Sequence, residues 1–273
     1  MKGRRTSSRP PRRRRPGAPA GGASPAGRPR AGPEAGDRVV LYGWHPVVEA
    51  LRNPRRSLGR FLATENALRR LNDELPDLAL RPEIVRPGDI DRLLPPDAVH
   101  QGLHLEAAPL PSPTIESLSA EALVLALDQV TDPHNVGAVV RSAAAFGVDA
   151  ILTTARHSPA ATGVLAKAAS GGLEHVPFLV VRNLAEALLA LGERGVMRVG
   201  LDSSAATPLE ELPLRRPLVL VLGAEGKGLR QRTLASCDAA ARLDMPGAIK
   251  SLNVSNAAAL ALYAAHRRLG EPS

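Results

Sequence analysis

Beyond residue 120, short runs that are apolar at almost every position alternate with longer stretches in which apolar residues return every three or four places. Residues 123–127, 150–152, 176–180, 197–201, 218–222 and 240–243 are of the first kind and read as strands. The helical period predicts helices over 136–146, 163–170 and 184–194, a short one from 229, and a last one over 254–268. A strand that is apolar on both faces is covered on both faces, and helices between strands act as crossovers. The pattern therefore predicts an α/β domain with a mostly parallel sheet between two layers of helices.

Before residue 109 the pattern is shorter and mixed. A strand at 39–42 leads into a helix over 46–51 with Pro46 near its first turn; a second helix follows over 65–75, with strands at 83–85 and 102–105. This reads as a small α/β domain over 37–108. Pro109, Pro111 and Pro113 stiffen a connection over 109–119, and 120–273 forms the second domain.

The net charge of +8 suggests a basic protein until the charges are located. Residues 1–36 hold ten Lys or Arg against Glu34 alone, so the rest of the chain sums to about −1. Arg12 to Arg15 run together and Pro, Gly and Ala fill most of the remainder, a composition that cannot bury enough apolar surface to order itself. Such a disordered tail fits weak, salt-sensitive attraction to a polyanion, or a solubilising extension with no partner. No apolar stretch follows the arginines, which argues against a secretory signal. Pro10, Pro11, Pro16, Pro19 and Pro25 break the amphipathic helix that a transit peptide needs. Cys237 is alone, which excludes an intramolecular disulfide framework. A cytoplasmic protein without a membrane partner is the expectation.

Three segments lie where a strand gives way to a helix, and in a parallel sheet such junctions gather at the carboxyl edge, where ligands bind. The first, Asp132-Pro133-His134-Asn135-Val136-Gly137, offers Asn135 as a helix N-cap, with Arg141 on the first turns. It reads as a capped helix with a surface arginine or as a phosphate or substrate site. The second, Gly223-Ala224-Glu225-Gly226-Lys227-Gly228, satisfies neither the dinucleotide nor the phosphate-loop spacing, and Glu225 would repel a pyrophosphate. It suits a neutral or cationic ligand. The third, Ser251-Leu252-Asn253-Val254-Ser255-Asn256, crowds uncharged hydrogen-bonding side chains at the start of the last helix.

In this order and spacing the three segments resemble the motifs of the SpoU (TrmH-like) family of RNA ribose 2′-O-methyltransferases, part of the SPOUT superfamily. Residues 135–141 resemble its first motif, 223–228 its second and 249–256 its third. The likeness runs through 167–177 and into the small domain, where 42–51 and His100-Gln101-Gly102 resemble the L30e-like substrate-binding domain of the ribosomal-RNA branch. Enzymes of that branch methylate a guanosine ribose in the peptidyl-transferase region of 23S rRNA.

The resemblance implies a deep trefoil knot in the second domain, S-adenosylmethionine as cofactor, large-subunit ribosomal RNA as partner, a homodimer, and no metal. It implies that Leu222, Gly223, Gly228, Leu243, Met245 and Leu252 bind the cofactor. The catalytic set it implies is Asn135, Arg141, Glu225, Ser251 and Asn253. Arg141 would act on the 2′-hydroxyl, as base or through the adjoining phosphate, and Asn135 would orient Arg141 or the substrate. Glu225 would orient neighbouring polar groups, while Ser251 and Asn253 line the point of methyl transfer. Asp244 departs from the pattern, since relatives often carry proline there and here Pro246 follows two residues later. Three other readings compete: a transfer-RNA methyltransferase of the same family, an RNA-binding module with a decayed site, and a phosphate-loop or dinucleotide enzyme.

Overall fold

The computed structural model describes residues 38–156 and 163–270, so the tail expected over 1–36 lies outside the described residues. Strands β1 (Val39–Tyr42), β2 (Leu58–Ala63), β3 (Glu83–Ile84) and β4 (Leu103–Ala107) form one sheet in the order β1-β4-β2-β3. β4 is antiparallel to both neighbours and β2 is parallel to β3. Helices α1 (Trp44–Arg52), α2 (Glu65–Glu74) and α3 (Pro87–Asp91) accompany it. β2 and α3 were not visible in the pattern: Gly59 and Arg60 break the alternation of β2, and a five-residue helix opened by Pro87-Gly88 is too short to show a period. Trp44, Val47, Phe61, Leu71, Leu103 and Leu105 make the core of this sheet. The Trp44 indole N–H donates to Glu74 Oε2 at 2.9 Å and Arg70 stacks 3.7 Å over its ring, so this large side chain is buried without an orphaned donor.

The second sheet is built from β5 (Leu123–Asp128), β6 (Ala150–Thr154), β7 (Phe178–Val181), β8 (Met197–Leu201), β9 (Leu218–Gly223) and β10 (Ala239–Ala241). Its order is β10-β8-β9-β5-β6-β7 and every pair is parallel. Around it lie α4 (Pro133–Ala145), α5 (Gly163–Ala169), α6 (Leu184–Glu193), α7 (Gln231–Ala235) and α8 (Val254–Gly270). Successive strand residues face opposite ways. Leu123, Leu125 and Leu127 therefore share a core with Val139 of α4 and Leu262 of α8, while Val124 and Ala126 share the other with Leu188 of α6. Burying each leucine contributes roughly 1.5–3 kcal/mol. Boundaries shift by a residue or two: β7 starts after Pro177, which has no N–H for a ladder, and β10 ends at Ala241 rather than 243.

The chain runs outward through β5, β6 and β7, then returns to lay β8, β9 and β10 on the other side. The direction switches between β5 and β9, whose last residues, Asp128 and Gly223, are paired neighbours. A crevice for ligand opens at such a point. The two sheets are joined by a buried ion pair, Arg56 to Glu174 at 2.7 Å, in which both side chains are almost wholly covered. Asn53 Nδ2 donates to the other Glu174 oxygen at 2.7 Å and Arg56 donates to the Ala108 carbonyl at 2.7 Å.

Candidate active site

The helix carrying the first motif starts earlier than its apolar period suggested, and this corrects the place of Asn135. Pro133 lacks an N–H and has its φ preset, so it suits the first helical position. Asp132, just before it, is the N-cap, accepting from the backbone N–H groups of His134 and Asn135, each at 3.3 Å. Asn135 is therefore inside the first turn with its side chain available. Its Oδ1 accepts from Asn253 Nδ2 at 2.9 Å, and that same amide nitrogen lies 3.5 Å from Glu225 Oε2. Asn253 Oδ1 accepts from the backbone N–H and the hydroxyl of Ser255, at 2.9 and 2.6 Å, which also satisfies a first-turn donor of α8. One asparagine of the third motif thus bridges the other two.

Arg141 does not join this cluster within one chain. It lies in the third turn of α4, and six residues of helix turn it about 120° away from Asn135. Its side chain is exposed and makes no hydrogen bond or ion pair among the described residues.

Leu222, Gly223, Gly228, Leu243, Met245 and Leu252 line a single cleft of about 220 Å³, together with Glu225 and Ser251. Sequence reasoning missed Leu201, Asp202 and Ser203, at the end of β8, and Val254 and Ala257 of α8, which line it too. β8 lies beside β9, so the strand order was the signal that could have found them. The walls are aliphatic and Met245, while Ser203, Glu225 and Ser251 are exposed polar groups. Among the lining residues Lys250 is the one cation, and its ammonium donates to the Met245 carbonyl. A phosphate here would face Asp202 and Glu225. A flat uncharged base and sugar, or a cationic centre, matches the lining.

The loop after β9 is folded tightly back on the strand. A Cβ on Gly223 would fall 2.1–2.4 Å from backbone atoms of Gly228 and Leu229, so a side chain is excluded there. Gly226 and Gly228 have φ of 76° and 63°, which L side chains rarely adopt. The loop is anchored by a second pair the sequence reading missed. Asp128, fully buried at the end of β5, accepts from the Arg230 backbone N–H at 3.1 Å and pairs with its guanidinium at 2.6 Å. An acid closing an otherwise apolar strand was the available signal. Asp244, where a proline was expected, pairs with Arg242 Nε at 2.8 Å.

Comparison with known proteins agrees with this geometry. The SpoU rRNA Methylase family matches residues 122–263, which hold every residue of the cleft and of the asparagine cluster. The chain belongs to the SpoU rRNA methylase family. A second family, RNA 2′-O ribose methyltransferase substrate binding, matches residues 40–113, over the first sheet. This SpoU chain is 35% identical over 237 residues to the 23S rRNA (guanosine-2′-O-)-methyltransferase RlmB of Ralstonia nicotianae, covering 84% of this chain and 95% of that one. A solved RNA 2′-O ribose methyltransferase superposes with a TM-score of 0.71 at 29% identity, over 85% of this chain and 89% of that one. The SpoU methyltransferase AviRb of Streptomyces viridochromogenes, solved with AdoMet, shares the fold, with a TM-score of 0.72 at 21% identity over 85% and 90% of the two chains. Among the described residues of the SpoU chain no group of three His, Cys, Asp or Glu is placed to hold a metal ion, and no helix is long and apolar enough to cross a membrane.

Proposed function

We propose that this chain methylates the ribose 2′-hydroxyl of a guanosine in the peptidyl-transferase region of 23S rRNA, with S-adenosylmethionine as methyl donor. The observation that carries the reading is the bridge by Asn253 between Asn135 and Glu225, set against an aliphatic cleft rimmed by carboxylates. The name of the Ralstonia relative supports the RNA and the base.

The lining fits the cofactor. Leu222, Leu243, Met245 and Leu252 offer apolar surface to an adenine, Gly223 and Gly228 line the cleft with backbone alone, and Asp202 and Glu225 suit a positive centre. When bound, S-adenosylmethionine supplies a methyl group on an electrophilic sulfonium. The chain supplies position, since displacement at a methyl needs the hydroxyl oxygen held in line.

Asn253 spends both amide hydrogens on Asn135 and Glu225 and its oxygen on Ser255, so it fixes the site rather than touching RNA. Asn135 Nδ2 and the Glu225 carboxylate are left to face the substrate, with the Ser251 hydroxyl at the cleft. Arg141 carries a planar guanidinium with five N–H donors and no acceptor, and it anchors the phosphate next to the target ribose. It completes the site of a second copy in a homodimer, in keeping with its distance from Asn135 in one chain.

The same reading assigns 37–108 to RNA binding, 109–119 to a linker and 120–273 to a knotted methyltransferase domain, with the tail over 1–36 adding nonspecific attraction. The family matches to 40–113 and 122–263 support that division. Under the same proposal the chain acts on ribosomal RNA in the cytoplasm.

The test is transfer of labelled methyl from S-adenosylmethionine to unmodified large-subunit rRNA and, separately, to bulk unmodified tRNA, mapped by resistance to alkaline cleavage. The expected product is a single 2′-O-methyl guanosine in rRNA. Label in tRNA alone moves the activity to transfer RNA, and no label in either leaves an RNA-binding module.

A further inference from the structure

The carboxyl edge of the parallel sheet holds a second, larger hollow. Where β6 and β7 end, a cleft of about 890 Å³ opens between the start of α6 and α7. Arg156, Arg182, Arg230 and Arg232 line it, against one acid, Glu186. Arg230 is neutralised by Asp128, and Glu186 accepts from Asn183 Nδ2 at 2.8 Å. Arg156, Arg182 and Arg232 are exposed, and their guanidinium groups make no hydrogen bond or ion pair among the described residues.

Three like charges gathered without internal partners oppose one another, so folding gains nothing from placing them together. They suit an external polyanion. No aromatic side chain lines the cleft, so it has no platform on which an unstacked base could rest. Guanidinium groups without stacking surfaces grip phosphates and leave bases unread.

We infer that this cleft holds the sugar–phosphate backbone of the RNA a few nucleotides from the methylated residue. The inference rests on the function proposed above and adds a contact surface to it. The ends of β9 and β7 are three strand spacings apart, roughly 15 Å along one edge. Arg230 belongs to this cleft's wall and is bonded to Asp128 at the end of β5, beside the loop that holds Glu225. The backbone grip and the transfer point are thus built on one rigid edge. A backbone held here sets the register of the target ribose against the cofactor cleft.

The experiment compares the full chain with the double variant Arg182→Glu/Arg232→Glu. A matched control, Arg194→Glu/Arg215→Glu, makes the same charge change at the amino edge of the sheet, ahead of β8 and β9. Affinity for unmodified large-subunit rRNA is measured across salt concentrations, along with S-adenosylmethionine affinity and methyl-transfer kinetics. In the cleft variant RNA affinity falls at least about tenfold below the control, and the slope of log affinity against log salt becomes shallower by about 1.5, the loss of two phosphate contacts. KM for RNA rises, kcat at saturating RNA stays within about twofold, and cofactor affinity is unchanged. Arg182→Lys/Arg232→Lys keeps the slope. An affinity and slope equal to the control's overturn the inference while leaving the methyltransferase reading intact. A lysine variant as weak as the glutamate one shows that charge is not the cause and overturns it as well. A parent chain that binds no RNA removes the proposed function, and this inference falls with it.

Discussion

At the ends of β8 and β9 the sheet presents a cleft of about 220 Å³ walled by aliphatic side chains and rimmed by carboxylates; at the ends of β6 and β7 it presents one of about 890 Å³ with four arginines. Both stand on the same carboxyl edge. In the first, close backbone packing at Gly223 and the bonds around Asn253 leave little freedom. In the second, Arg156, Arg182 and Arg232 are exposed and lack hydrogen-bond or ion-pair partners among the described residues. The first is built to select one small ligand by shape, and the second to hold a long anion by charge. Substitutions should therefore act sharply on the first side and gradually on the second.

The largest effect is expected at Arg141, which belongs to neither cleft in a single chain. Arg141→Ala should lower kcat about 10²–10⁴-fold with cofactor affinity unchanged, and Arg141→Lys should not restore it, because a point charge lacks the planar fork. Asn253→Ala should also abolish most transfer. Mixing the two inactive variants distinguishes the geometries. If Arg141 serves the other copy's site, mixed dimers contain one intact site and the mixture recovers about a quarter of the activity. A mixture that stays inactive places Arg141 in its own chain's site.

The next effect concerns the buried pair that joins the two sheets, away from both clefts. Removing one partner of the buried pair, by Arg56→Met or Glu174→Met, leaves an unpaired buried charge and should cost about 3–5 kcal/mol in denaturant unfolding. The double variant should lose less than the sum of the two. Additive losses would show that the pair is not energetically coupled.

Smaller still is Gly223→Ala. Its Cβ would overlap backbone of Gly228 and Leu229, so the loop must shift and cofactor affinity should fall roughly tenfold, about 1.4 kcal/mol. RNA affinity should not move. Loss of both would show that the two clefts are not independent.

The contrast between the clefts also explains what the sequence disclosed. The alternation of apolar runs and helical periods yielded the parallel sheet because its strands are covered on both faces, and periodicity reports burial. The aliphatic cleft was reached through the resemblance of residues 135–141, 223–228 and 249–256 to the family's motifs, which implied Leu243 and Leu252 where the pattern alone reads them as core, while Leu201 to Ser203 needed the strand order. Asn135 was misplaced as a cap because an apolar period begins only once a helix faces the core, after Asp132 and Pro133 have started it. The arginine cleft was illegible. Its cations come from positions 156, 182, 230 and 232, which only the strand order brings together, and a net charge near −1 beyond the tail conceals them.

An effect confined to alkaline pH, and absent at neutral pH, supplies a check on the others. Cys237, just beyond α7, donates to the Thr233 carbonyl at 3.4 Å, and burial pushes its thiol from an ordinary 9.0 up to about 11. The folded state therefore keeps the proton more tightly than the unfolded chain does. Stability from this group is fully present below pH 9 and is lost as pH rises through about 11, on the order of 2 kcal/mol in all. Cys237→Ala should flatten that alkaline decline, and an unchanged pH profile would show that the thiol is not the source. At pH 8 the buried, protonated thiol should alkylate far more slowly in the folded protein than in urea. The same slow alkylation in Arg182→Glu/Arg232→Glu would show that α7 is still packed, so that a loss of RNA affinity in that variant reports charge and not unfolding.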